Sequence, residues 1–87
     1  MYEDSGMRST EAVGRAVKVE LLRRGMTHGA FAEAVGMTPS ALSVRLNGRT
    51  PVDLNELDQW AAGLDMTPYH LIQLAKREAG TAPGSAA

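Results

Sequence analysis

The stretch AFAEAVGMTPSALSVRLNG, residues 30–48, contains an alanine-rich helical run that stops at Gly36 and a second that opens almost at once at Thr38-Pro39. Thr27 is placed to cap the first run, whose inner face is Phe31, Ala32 and Val35. Thr38 caps the second, and Pro39 takes its first position, where a missing N–H costs nothing. Asn47-Gly48 closes it, because both residues tolerate the left-handed conformation that ends a helix. A chain that breaks a helix and restarts it within three residues turns sharply there.

Working outward, the apolar set Val13, Ala16, Val17 and Leu21 marks a first helix, with Thr10 as its N-cap, Glu11 in its first turn and Gly25 at its end. After the loop Arg49-Thr50-Pro51-Val52, Asp53 caps a fourth helix with Leu54, Leu57, Trp60, Ala61 and Leu64 inward. Thr67-Pro68 opens a fifth, striped by Leu71, Leu74 and Ala75. Phe31, Trp60, Met26, Met37 and Met66 are core candidates. No strand pattern appears. The expected fold class is all-α, a five-helix bundle over residues 10–77, with a flexible segment at 1–9 and a small, turn-rich, disordered tail at 78–87.

On a helical wheel of about 100° per residue, Leu42 and Leu46 point to one side of the third helix. Ser40, Ala41, Val44 and Asn47 lie opposite, with Ser43 and Arg45 on the flanks. That outer side is small and smooth, so the helix fits close against another surface while the second helix braces it from behind. This is helix-turn-helix geometry, in which the second of the two helices enters a DNA major groove.

Composition narrows the alternatives. The 87 residues are 44% hydrophobic and 22% charged, enough for one small soluble core. With no cysteine there is neither a disulfide nor a thiolate metal site. His28 and His70 lie far apart without a carboxylate motif, so no metal or other cofactor is expected. No apolar run approaches the roughly 20 residues of a membrane span, and a cytoplasmic, nucleoid-associated protein is the simplest expectation. Nucleophile–base pairs and glycine-rich phosphate loops are lacking, which argues against an enzyme or a small-molecule substrate.

The net charge of −1 is unusual for a nucleic-acid binder, but its distribution is uneven. Residues 5–28 hold five basic side chains against two acidic ones, and residues 34–52 hold Arg45 and Arg49 with no acid. Residues 53–65 then carry Asp53, Glu56, Asp58 and Asp65 without a base. A positive face and a negative back follow if the first two segments share a side.

The run MTHGAFAEAVGMTPSALSVRLNGRTPVDLNELDQWAAGLDMTP, residues 26–68, resembles the helix-turn-helix family of phage repressors and Cro proteins, also called the xenobiotic-response-element or lambda-repressor-like family. The matching features are Thr27-His28, Phe31-Ala32, Gly36, Thr38, Leu42, Ser43, Asn47-Gly48 and the Leu57, Ala61, Leu64 run. The resemblance spans about residues 12–75 and implies a five-helix DNA-binding domain acting as a dimer on a two-fold operator. Two departures from the pattern matter. His28 stands where the family often has a glutamine that touches a phosphate, a role histidine can still fill. Pro39, Ser40 and Val44 occupy outward positions often held by glutamine, lysine or arginine, so few long polar base readers are implied.

The expected function is therefore a sequence-specific, double-stranded-DNA-binding repressor. Thr38, Ser40, Ala41 and Val44 meet base edges, serine through hydrogen bonds and valine through thymine methyls. His28, Ser43, Arg45, Asn47, Arg49 and Arg15 of the first helix hold the backbone. DNA shape and dimer spacing supply the remaining specificity. Tyr69 and Ile72, outside the fifth helix's apolar stripe, are candidate dimer contacts. With no second domain in view, a minimal Cro-like regulator is expected rather than a ligand-sensing one. The alternative is an interaction module that keeps the fold but binds a protein, such as a toxin, another regulator or RNA polymerase; the near-neutral charge favours it.

Overall fold

Four helices start where a short polar side chain offers an acceptor to the third residue on. Thr27 Oγ1 accepts from the Ala30 N–H at 3.1 Å, Thr38 Oγ1 from Ala41 at 3.1 Å and Thr67 Oγ1 from His70 at 3.1 Å. Asp53 Oδ1 accepts from Glu56 N at 2.7 Å, while Glu56 Oε1 accepts from Asp53 N at 3.2 Å, a reciprocal cap. The computed structural model describes residues 8–80 and forms α1 (Ser9–Arg24), α2 (His28–Ala34), α3 (Pro39–Leu46), α4 (Leu54–Gly63) and α5 (Pro68–Gly80). There is no strand among the described residues.

The first helix departs from expectation. It begins at Ser9, because Glu11 accepts from the Arg8 N–H at 3.1 Å and sets the start two residues early. Thr10 is therefore inside the helix. Its hydroxyl accepts instead from the Val52 N–H at 3.1 Å and ties the loop after α3 to α1. The boundaries move accordingly: Arg8 caps α1, Ser9 and residues 78–80 are helical, and residues 1–7 and 81–87 lie outside the described residues.

The core is built on Trp60, Phe31, Leu21, Leu42, Leu64, Leu71 and Val17, all fully buried. Phe31 and Trp60 meet edge to face with centroids 6.1 Å apart, which joins α2 to α4. The Trp60 Nε1–H donates to the Met37 sulfur at 3.4 Å, so the one polar atom of this side chain has a partner in the α2–α3 turn. Met26, Met37 and Met66 pack against the core edge. Leu54 corrects the inward reading of α4. As the first residue of that helix it lies beyond the stripe of Leu57, Trp60 and Ala61 and is 78% exposed.

Among the described residues, one charge is inside. Glu20 of α1 is buried and takes Arg23 on one oxygen and Arg24 on the other, each at 3.0 Å. Burial alone pushes its pKa up, but the hydrogen bonds and positive charges of Arg24 and Arg23 outweigh it and hold the carboxyl below its usual value. Two arginines that read as free positive charge in the sequence are thereby spent on α1 itself.

Glycine matters to the helix-turn-helix and its support at Gly36 and Gly14. Gly36, in the turn between α2 and α3, has φ +73°, in the left-handed region that side chains disfavour. Gly14 lies where α1 crosses the end of α3. A Cβ there would stand against the carbonyl oxygen of Leu46 and 2.9 Å from its carbonyl carbon. The absence of a side chain lets the two backbones approach.

Candidate DNA-binding surface

The helix-turn-helix consists of α2, the turn at Val35–Thr38 and α3. Leu42 and Leu46 are buried, so the wheel's inner side of α3 is packed as expected. Ser40 and Ser43 are exposed on the other side, and Thr38 and Asn47 are exposed at its two ends. Ala41 and Val44 are half-buried. α3 itself carries no carboxylate. Thr38 Oγ1 is already an acceptor for Ala41 N, which leaves its hydroxyl hydrogen as the group free to meet a base or phosphate. His28 is exposed at the first position of α2. Arg49 is exposed just beyond α3, and no ion pair among the described residues holds it.

Two of the expected phosphate-binding arginines are engaged elsewhere. The Arg45 Nε–H donates to Glu56 Oε2 at 2.8 Å, and its Nη1 donates to the Ala41 carbonyl at 3.0 Å. Its side chain is only 22% exposed. Position 45 lies on the flank that faces the start of α4, and Glu56, already fixed in the α4 cap, is the charge it meets there. Arg45 thus fastens α3 to α4. Arg15 Nε pairs with Glu78 Oε1 at 3.1 Å, on the side of α1 that packs against α5.

The cation of α1 that does face α3 is Lys18, which the sequence reading passed over. Its Nζ donates to Asn47 Oδ1 at 2.9 Å, across 29 residues of chain. The signal for it was Gly14, one helical turn earlier. The side of α1 that needs a glycine is the side on which α3 lies, and the residue four further on shares that side.

Arg45 carries a testable consequence. Arg45→Ala leaves Glu56 half-buried without its partner and is expected to lower stability by about 1–3 kcal/mol, the cost of an unsatisfied group of this kind. DNA affinity should fall through loosening of α3, with the slope of log affinity against log salt unchanged. Arg49→Ala should reduce that slope by about 0.9 with stability unchanged, as loss of one phosphate contact requires. Thermal melts and a salt series on both variants check the assignment.

These features define a class: a five-helix domain whose third helix offers a bare, acid-free side beside exposed cations. The chain belongs to the helix-turn-helix family of the Cro/C1 type, whose family model matches residues 17–71. That membership makes it a DNA-binding regulator of transcription. Two crystal structures of the clp gene regulator ClgR from Corynebacterium glutamicum have the same fold. One superposes with a TM-score of 0.79 at 24% identity, covering 85% of this chain and 79% of that one. The other does so with a TM-score of 0.79 at 23% identity, covering 88% of this chain and 99% of that one. No curated protein matches the sequence significantly. Among the described residues, no helix is long and apolar enough to cross a membrane, and no group of three His, Asp or Glu side chains is placed to hold a metal ion.

Proposed function

We propose that this chain is a Cro-like repressor, a binding protein rather than an enzyme, that occupies a specific DNA operator as a homodimer in the cytoplasm, at the nucleoid. The bare side of α3 carries this reading. Thr38, Ser40, Ala41 and Val44 meet base edges there, while Ser43, Asn47, Arg49 and His28 hold phosphates on either side. Arg45 contributes by fixing α3, and Arg15 by fixing α1 to α5. With only a serine, a threonine and small apolar groups at the centre, direct readout is modest, and DNA shape with half-site spacing supplies the rest.

For the dimer, Tyr69 is 79% and Ile72 38% exposed. Ile72 shares an apolar groove with Leu54, Val13 and Val52, and a second subunit covering it would bury the exposed leucine as well. The two recognition helices would then read half-sites about one helical turn, ~34 Å, apart.

The test is selection of bound duplexes from a random pool with the purified protein. A two-fold symmetric motif is expected; a pool that stays random contradicts the reading. The net charge of −1 favours a second reading, a protein-binding module on the same fold. In that case affinity for duplex DNA stays weak at all salt concentrations.

A further inference from the structure

We propose that Lys18 of α1, together with Ser43 of α3 and Asn47 at the C-terminal cap of that helix, forms a single site for one phosphate of the DNA backbone, in which Lys18 supplies the charge and also sets the orientation of the Asn47 amide. The inference rests on the DNA-binding reading and adds to it a residue on a different helix.

The hydrogen bonding dictates the chemistry. An ammonium can only donate, so its bond at 2.9 Å requires the oxygen of the Asn47 amide to face it. The amide nitrogen is then turned to the other side. It lies 3.4 Å from Ser43 Oγ, a long contact that leaves one N–H without a protein partner. Lys18 keeps two further N–H groups, and no carboxylate among the described residues pairs with it. What the cluster offers outward is therefore a set of donors beside a positive charge. Its chemical complement is an anion with several oxygens.

Position selects which anion. Asn47 follows Ser40 by about 10 Å along the α3 axis, at about 1.5 Å per residue. A major groove is about 12 Å wide between its phosphate walls. With Ser40 over the base edges, the Lys18–Asn47 pair lies at the wall. The glycine contact at Gly14 holds α1 close enough for the lysine to reach.

Equilibrium binding of the full chain to a duplex carrying the selected motif, over a salt series, tests the proposal. K18Q keeps a polar side chain of similar reach and removes the charge. It is expected to reduce the salt slope by about 0.9, so the affinity lost between roughly 50 and 200 mM salt shrinks by about 3.5-fold. K18R should retain the wild-type slope. N47A should weaken wild type more than it weakens K18Q, since in K18Q the amide has already lost the group that orients it. Melting temperatures of the variants should match wild type, because Lys18 lies on the surface seam and not in the core. A K18Q slope equal to that of a salt-sensitive wild type overturns the proposal and leaves DNA binding standing. A wild type with no affinity for any duplex overturns both.

Discussion

Trp60→Ala is expected to remove about 3–5 kcal/mol of folding stability, the range for deleting a large aromatic from a core. Small domains hold only about 5–15 kcal/mol in total, so the variant should be largely unfolded at moderate temperature. The size of the effect has a structural source. Trp60 is fully buried, meets Phe31 edge to face and donates its indole N–H to the Met37 sulfur in the turn between α2 and α3. Its loss empties the place where the helix-turn-helix rests on α4. Trp60→Phe keeps most of the ring volume and should cost less. Leu54→Ala, exposed in the single subunit, should change the stability of the monomer little. Denaturant titration followed by far-ultraviolet circular dichroism is the appropriate measurement, since the only tryptophan is the one removed.

The second large effect is counter-intuitive on propensity grounds. Gly14→Ala replaces a poor helix former by the best one, a change worth up to about 1 kcal/mol in favour of the helix. Yet the new methyl would be driven into the Leu46 carbonyl, which is backbone and has no rotamer to escape into. We expect a net loss of about 1–3 kcal/mol, as for other overpacked sites, seen as a fall in Tm of about 4–8 °C per kcal/mol. DNA affinity should fall more than stability alone explains. Moving α1 away from α3 separates Lys18 from Asn47 and shifts the recognition helix against its support. A Gly14→Ala variant with an unchanged Tm would show that the two helices are free to slide, against the rigid support described above.

Most of the architecture was legible because its signals are local. A capping hydroxyl, a proline at the first position and a glycine in a turn act over three or four residues, and Thr27, Thr38, Asp53, Thr67 and Gly36 do what their spacing implies. The buried side of α3, and that of α4 apart from Leu54, followed from periodicity in the same way. Thr10 was misread because a threonine before an apolar run looks the same whether it caps the helix or reaches across to another segment. The partner that decides the matter, Val52, is 42 residues away.

The surface was harder to read for a related reason. Charge in a sequence is a count, whereas charge on a surface is what remains after pairing. Arg15, Arg23, Arg24 and Arg45 all lose their freedom to glutamates, and Lys18 gains its position from the backbone contact at Gly14. Arg23 and Arg24 meet Glu20 three and four residues away on the same helix, but the pairs Arg15–Glu78 and Arg45–Glu56 depend on helix crossing angles that no local pattern encodes. The bare outer side of α3 was readable, being a property of one helix, and so was the exposed Arg49 beyond its end; the engagement of Arg45 and Arg15 and the approach of Lys18 were not.

The central claim is that this side of α3 enters a major groove. The chain has no cysteine, so a single Ser40→Cys variant can be labelled uniquely with a short photo-cross-linker, alongside a Gln73→Cys control on the exposed part of α5. Irradiated with a duplex carrying the selected motif, the Ser40→Cys conjugate should cross-link to bases within each half-site while the Gln73→Cys conjugate leaves the DNA unmodified. Cross-linking from position 73 with none from position 40 would contradict the account.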